Sequence, residues 1–145
     1  MGARNLPSVG LAAILLLSPS LAAADHYHVI GNHAGPVTSV DPETVRNIFM
    51  GETRHLGGVR VTPVIYNNGT TLLRAFLHDI VHMGEVRYRS YWIRRVFRGE
   101  GPPPVQAESE EEAIRLVAAR PGAIAFVSTG RKLPDGVREV LSGQH

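Results

Sequence analysis

Ala123-Ile124-Ala125-Phe126-Val127 is an unbroken apolar run, closed by Pro121-Gly122 before it and Ser128 after it. A strand with one wet face alternates polar and apolar residues, so a run without alternation reads as a strand buried on both faces. Such a strand needs cover on each side, and helical patterns elsewhere in the chain can supply it. Asp41 is a good N-cap, Pro42 suits the first helical position, Val40 can staple to Val45, and Val45, Ile48 and Phe49 share one face before Gly51. Leu73, Phe76, Leu77, Ile80 and Val81 form a second apolar stripe at helical spacing. A third helix is expected over Glu85 to Arg98, with Tyr88, Tyr91, Trp92, Val96 and Phe97 on its apolar side. Ser109-Glu110-Glu111-Glu112 reads as a capping box opening a fourth, with Ile114, Leu116, Val117 and Ala118 facing inward.

Strand signals interleave with these helices. His26 to Ile30 is a first strand stopped by Gly31-Asn32. Val59 to Tyr66 is a second, in which Pro63 points to an edge position or a bulge. Gly101-Pro102-Pro103-Pro104 reads as an extended spacer, and Val137 to Leu141 as a last strand after the Pro134-Asp135-Gly136 turn. The order β-α-β-α-α-α-β-β describes an α/β fold, a small mixed sheet flanked by helices.

The first 24 residues read as a removable leader: Arg4, an apolar run from Val9 to Leu17, and Ala22-Ala23-Ala24 where a signal peptidase needs small residues. This leaves residues 25–145 as one periplasmic or secreted domain, with no further run long enough to span a membrane. The absence of cysteine excludes a disulfide framework, thiolate zinc sites and cysteine catalysis. The formal charge of +2 falls to +1 without Arg4, so the pI of 9.4 reflects arginine usage and gives no reason to expect a nucleic-acid partner.

The best site candidate is the strand-to-helix junction at Tyr66-Asn67-Asn68-Gly69-Thr70-Thr71. Free N–H groups in a first helical turn attract an oxyanion, Gly69 allows close approach, and Thr70 and Thr71 offer hydroxyls, with Arg74 one turn on. The plain alternative is that Thr70 or Asn68 caps the helix and Gly69 makes the turn.

Five segments in order carry a resemblance: Asp41 to Glu52 with its Ile48-Phe49-Met50-Gly51, Val61 to Val64, Gly69-Thr70 to Phe76, Tyr91-Trp92, and Arg120 to Ser128. Together they resemble the phosphate-type (PstS-like) periplasmic solute-binding proteins, over about Val29 to Ser128. The resemblance implies the fold of a single lobe of a type II periplasmic binding protein, with phosphate or a similar oxyanion as ligand and an ABC permease or a membrane sensor as partner. It places Gly69 at the first glycine of the family's loop and Thr70 at its phosphate-contacting hydroxyl. Thr71 replaces the second glycine, Leu72 replaces a threonine, and Tyr66 stands where many members place an arginine. These departures remove a charge-assisted contact, so weak binding is expected. The family closes two lobes around its ligand, whereas residues 25–145 supply about one. A lobe that has lost its ligand and serves as a non-catalytic accessory or interaction module is the alternative.

Other groupings have plainer explanations beside the functional one. His78 and His82, four apart on a helix, have zinc-ligand spacing but no third ligand nearby, so exposed or helix-end histidines are the better reading and no metal is expected. Arg87, Arg94 and Arg98 form a basic stripe that can meet an anionic partner or lipid headgroups, or simply be the solvated back of an amphipathic helix. No nucleophile motif, phosphate loop, dinucleotide fingerprint or cofactor motif occurs, so neither an enzyme nor a cofactor is expected.

Overall fold

The computed structural model describes residues 2–5, 27–66 and 70–141. Apart from residues 2–5, the leader read over residues 1–24 lies outside the described residues, as do Asn68 and Gly69. Among the described residues no helix is long and apolar enough to cross a membrane.

The sheet is mixed and five-stranded. Its strands are β1 (Tyr27–Asn32), β4 (Thr62–Tyr66), β5 (Val105–Ala107), β6 (Ala123–Ser128) and β7 (Val137–Glu139), in the order β5-β4-β6-β1-β7. Strand β4 runs parallel to β5 and β6, while β1 runs antiparallel to β6 and β7. The apolar run Ala123 to Val127 forms the central strand, and each of its residues is 0% exposed. On one face Phe126 stacks on Phe76, with centroids 4.2 Å apart, and lies near Phe49 and Tyr66. That face is covered by helices α1 (Pro42–Phe49) and α2 (Thr71–Phe76), the latter continuing as a π-helical segment over Leu77–Val81. Helix α4 (Glu110–Ala119) covers the other face. It is tied down by Asn32, whose side-chain amide donates to Val117 O and Ala118 O at 2.8 and 3.0 Å and accepts from Ala34 N–H at 2.9 Å.

The local signals act as expected at the helix starts. Asp41 Oδ1 accepts the Thr44 N–H at 2.7 Å, Thr70 Oγ1 the Leu73 N–H at 3.1 Å and Ser109 Oγ the Glu112 N–H at 3.1 Å. The acid arm of the last box differs by one residue, since Glu112 reaches back to Glu108 N–H at 2.8 Å. All five apolar residues of the second stripe are buried. In α4, Ala113 and Val117 are buried, Ile114 and Leu116 pack half-buried against the core, and Ala118 is exposed.

Three expectations need correction. Strand β4 is interior rather than an edge, and Pro63 is tolerated because it sits near the strand's start, before the register with β5 begins at Val64. The segment read as one strand from Val59 is divided. His55–Leu56 (β2) and Val59–Arg60 (β3) form a small hairpin, and β5 is an additional strand too short to leave a pattern. In α3 (Glu85–Phe97), Val96 and Phe97 are 46% and 92% exposed. The cause lies at the end of α1, where free carbonyls attract polar handles. Tyr88 OH and Trp92 Nε1 donate to Phe49 O at 2.6 and 3.2 Å, and Tyr91 OH donates to Met50 O at 2.6 Å. With Tyr88 turned inward, Phe97 is nine residues on and about 180° around the helix, so it must point outward.

Candidate anion site at the ends of the parallel strands

Because β4, β5 and β6 are parallel, their C-terminal residues Tyr66, Ala107 and Ser128 reach the same edge of the sheet, and α2 and α4 begin just beyond it. This edge is where open α/β sheets hold ligands. Thr70 has extended backbone (φ −72°, ψ 153°) and caps α2 through its oxygen, with a hydroxyl that can donate as well as accept. Thr71 is exposed in the first turn and Arg74 is exposed one turn later. Thr70 and Thr71 share the start of α2 and Arg74 lies in its last turn, while Asn68 and Gly69 are outside the described residues.

The Tyr66 side chain is buried. Its ring packs on Phe126 with centroids 4.9 Å apart, and its hydroxyl donates to Phe126 O across the strand pair. Burial pushes the phenol well above its ordinary range; the negative charges of Glu110 and Glu111 add to this and Arg131 opposes it. The group therefore stays a protonated donor, committed to the core.

A second set of residues occupies the same edge. The Glu110 carboxylate accepts the Ser128 N–H at 2.5 Å, the Ser128 hydroxyl at 3.1 Å and Arg131 Nε at 2.6 Å, and Arg131 NH1 also pairs with Glu111. Burial on its own would raise Glu110; the Ser128 N–H, the Arg131 guanidinium and the Ser128 hydroxyl outweigh it and hold the carboxyl below its usual range. An internal carboxylate thus takes donors that an external oxyanion would otherwise find. Sequence reasoning explains Glu110 as a cap and stops there; the hint was a third acid where one capping box needs fewer.

The remaining candidates are dispersed. His82 lies beyond the end of the π-helical segment in the left-handed region (φ 59°), with Nδ1 3.2 Å from His78 O, while His78 pairs with Asp79 at 2.9 Å. The one-face helical geometry assumed for the two imidazoles is therefore not formed. Among the described residues there is no group of three or more His, Asp or Glu able to hold a metal. Arg87, Arg94 and Arg98 lie on the exposed side of α3.

A mixed sheet with three parallel strand ends, two helix starts at that edge and helices on both faces gives this chain the fold of a single lobe of a solute-binding protein. Two solved structures share this fold. One is an ABC-type phosphate transport receptor from Vibrio cholerae, with a TM-score of 0.60 and 16% identity over 80% of this chain and 45% of that one. Another, from Clostridium perfringens, is described as a phosphate ABC transporter substrate-binding protein with bound phosphate; its TM-score is 0.65 and its identity 16%, over 83% of this chain and 46% of its own. The chain thus spans less than half the length of either. No family model and no curated protein matches it by sequence.

Proposed function

We propose that residues 25–145, freed of the leader over residues 1–24, form an exported, non-enzymatic domain that binds phosphate or a similar small oxyanion weakly. Asn68, Gly69, Thr70 and Thr71 act as donors and Arg74 as a nearby cation. The observation that carries this reading is the placement of the Thr70 cap at the shared edge of β4, β5 and β6, in a fold whose solved neighbours include one described with phosphate bound. Binding is weak because Tyr66 contributes no charge and the Glu110 carboxylate repels a second anion at the same edge. Calorimetric titration with phosphate should show millimolar binding that salt weakens and that Thr70→Ala abolishes. No heat from phosphate, sulfate or related oxyanions at millimolar concentration would overturn the reading.

The occupied donors favour a second reading, an accessory module for an envelope transporter or membrane sensor that has lost its ligand. Its signature is specific capture of a permease or sensor subunit from an envelope extract by a protein that gives no oxyanion heat.

A further inference from the structure

The outer face of α3 inverts the usual amphipathic arrangement. At 100° per residue, Val86, Ile93 and Phe97 fall within a sector of about 40° on the side facing away from buried Tyr88. They are 75%, 64% and 92% exposed, so they form an apolar crest on the helix. Arg87, Arg94 and Arg98 run along one flank and Arg89 lies on the other, all exposed. Arg89 is loosely paired with Glu85 at 3.4 Å and Arg98 with Glu100 at 3.7 Å. Among the described residues no ion pair engages Arg87 or Arg94. The crest also continues sideways. Ile93, Val96 and Phe97 line a mainly apolar groove of about 560 Å³ together with Tyr66, Leu73 and Pro103.

We propose that this face of α3 docks on an anionic lipid surface, with Val86, Ile93 and Phe97 entering the acyl boundary and Arg87, Arg89, Arg94 and Arg98 meeting lipid phosphates. Charge and shape both favour this occupant. The apolar residues stand on the convex crest and the cations flank them on both sides, which matches the order of an interface with hydrocarbon beneath a layer of phosphates. Two copies joined crest to crest by a two-fold axis would bring their arginine rows together, an arrangement that like charge opposes. Exposed apolar residues flanked mainly by cations mark an interaction surface. The groove beside the crest reaches Tyr66 and Leu73 near the β4–α2 junction, but the proposal requires no oxyanion there.

The test is flotation of the full chain, as its expression host secretes it, with vesicles of phosphatidylcholine alone or mixed with phosphatidylglycerol. Binding is expected only to the anionic vesicles, with release as salt rises. Arg94→Glu with Arg98→Glu, and separately Ile93→Ser with Phe97→Ser, should each lower the bound fraction about tenfold. Both pairs are exposed, so unchanged thermal unfolding certifies the fold of each variant. Free phosphate at millimolar concentration should leave flotation unchanged. Absence of flotation with anionic vesicles overturns the proposal, as does flotation indifferent to the Ile93/Phe97 pair, which would be adsorption by charge alone. Displacement by free phosphate, or a dimer broken by the apolar pair, would assign the binding elsewhere and also overturn it.

Discussion

Replacing Glu110 by Gln keeps the side chain's shape and removes the charge on which Ser128 and Arg131 converge. In the native protein the Ser128 N–H lies 2.5 Å from one carboxylate oxygen, and the Ser128 hydroxyl and Arg131 Nε lie 3.1 and 2.6 Å from the other. A hydrogen bond to a charged acceptor contributes about 1.5–3 kcal/mol, against about 1 kcal/mol for a neutral one. Glutamine retains an oxygen for the Ser128 N–H and presents an NH2 group at the other position. Leaving the solvent-facing Arg131 out of the sum, the change costs about 1–2 kcal/mol at neutral pH. For a domain of this size that corresponds to a fall of roughly 4–8 °C in Tm. The pH dependence gives the sharper check. Glu110 titrates below its unfolded value of about 4.3, so its stabilisation is complete above that value and disappears as pH falls through the lower native one. Thermal unfolding followed by circular dichroism should therefore show a gap between native protein and Glu110→Gln at pH 7 that closes as pH falls below about 4. A gap that keeps its size across this range, or no gap at pH 7, would refute the reasoning. The same variant should bind phosphate more tightly, because no carboxylate competes for the Ser128 and Arg131 donors.

Two further substitutions test the packing. Gly51→Ala places a Cβ 2.5 Å from Trp92 Cη2 at a residue with φ +73°, which combines backbone strain with overpacking. It should lose about 2–4 kcal/mol in urea unfolding followed by the fluorescence of Trp92, the chain's single tryptophan, and a loss under about 0.5 kcal/mol would contradict the close approach. Asn32→Leu strips the Val117 and Ala118 carbonyls of their side-chain donor, and about 2–3 kcal/mol of stability should go with it; faster amide exchange confined to the C-terminal turn of α4 would locate the damage.

The π-helical segment after α2 also shapes what the protein presents. It keeps Leu77, Ile80 and Val81 buried and closes with the Met83 N–H donating to Leu77 O at 3.1 Å. That closure requires His82 to leave the helical path. Period-counting that assumes 3.6 residues per turn has no means of finding such a change, so His78 and His82 do not lie at i and i+4 of one regular α-helix.

Local chemistry was legible wherever a residue acts on its immediate neighbours. Asp41, Thr70 and Ser109 cap the helices their side chains favour, because a cap needs only an oxygen and an N–H two or three residues on. Ala123 to Val127 likewise declared a central strand, since no arrangement with a wet face accommodates five apolar residues in succession. What depended on partners distant in sequence was not legible. The meeting of Glu110 with Ser128 and Arg131, the turning of Tyr66 to Phe126 O and the capture of the α1 carbonyls by Tyr88, Tyr91 and Trp92 join residues 18 to 60 positions apart. Hydrogen-bond demand inside the folded core chose those pairings, and by rotating α3 to meet it the tertiary structure left Val86, Ile93 and Phe97 facing outward. The chain alone therefore determined its helix starts, its central strand and its class of fold. Which donors remain free for a ligand, and which apolar face remains uncovered, only the packing of the elements decided.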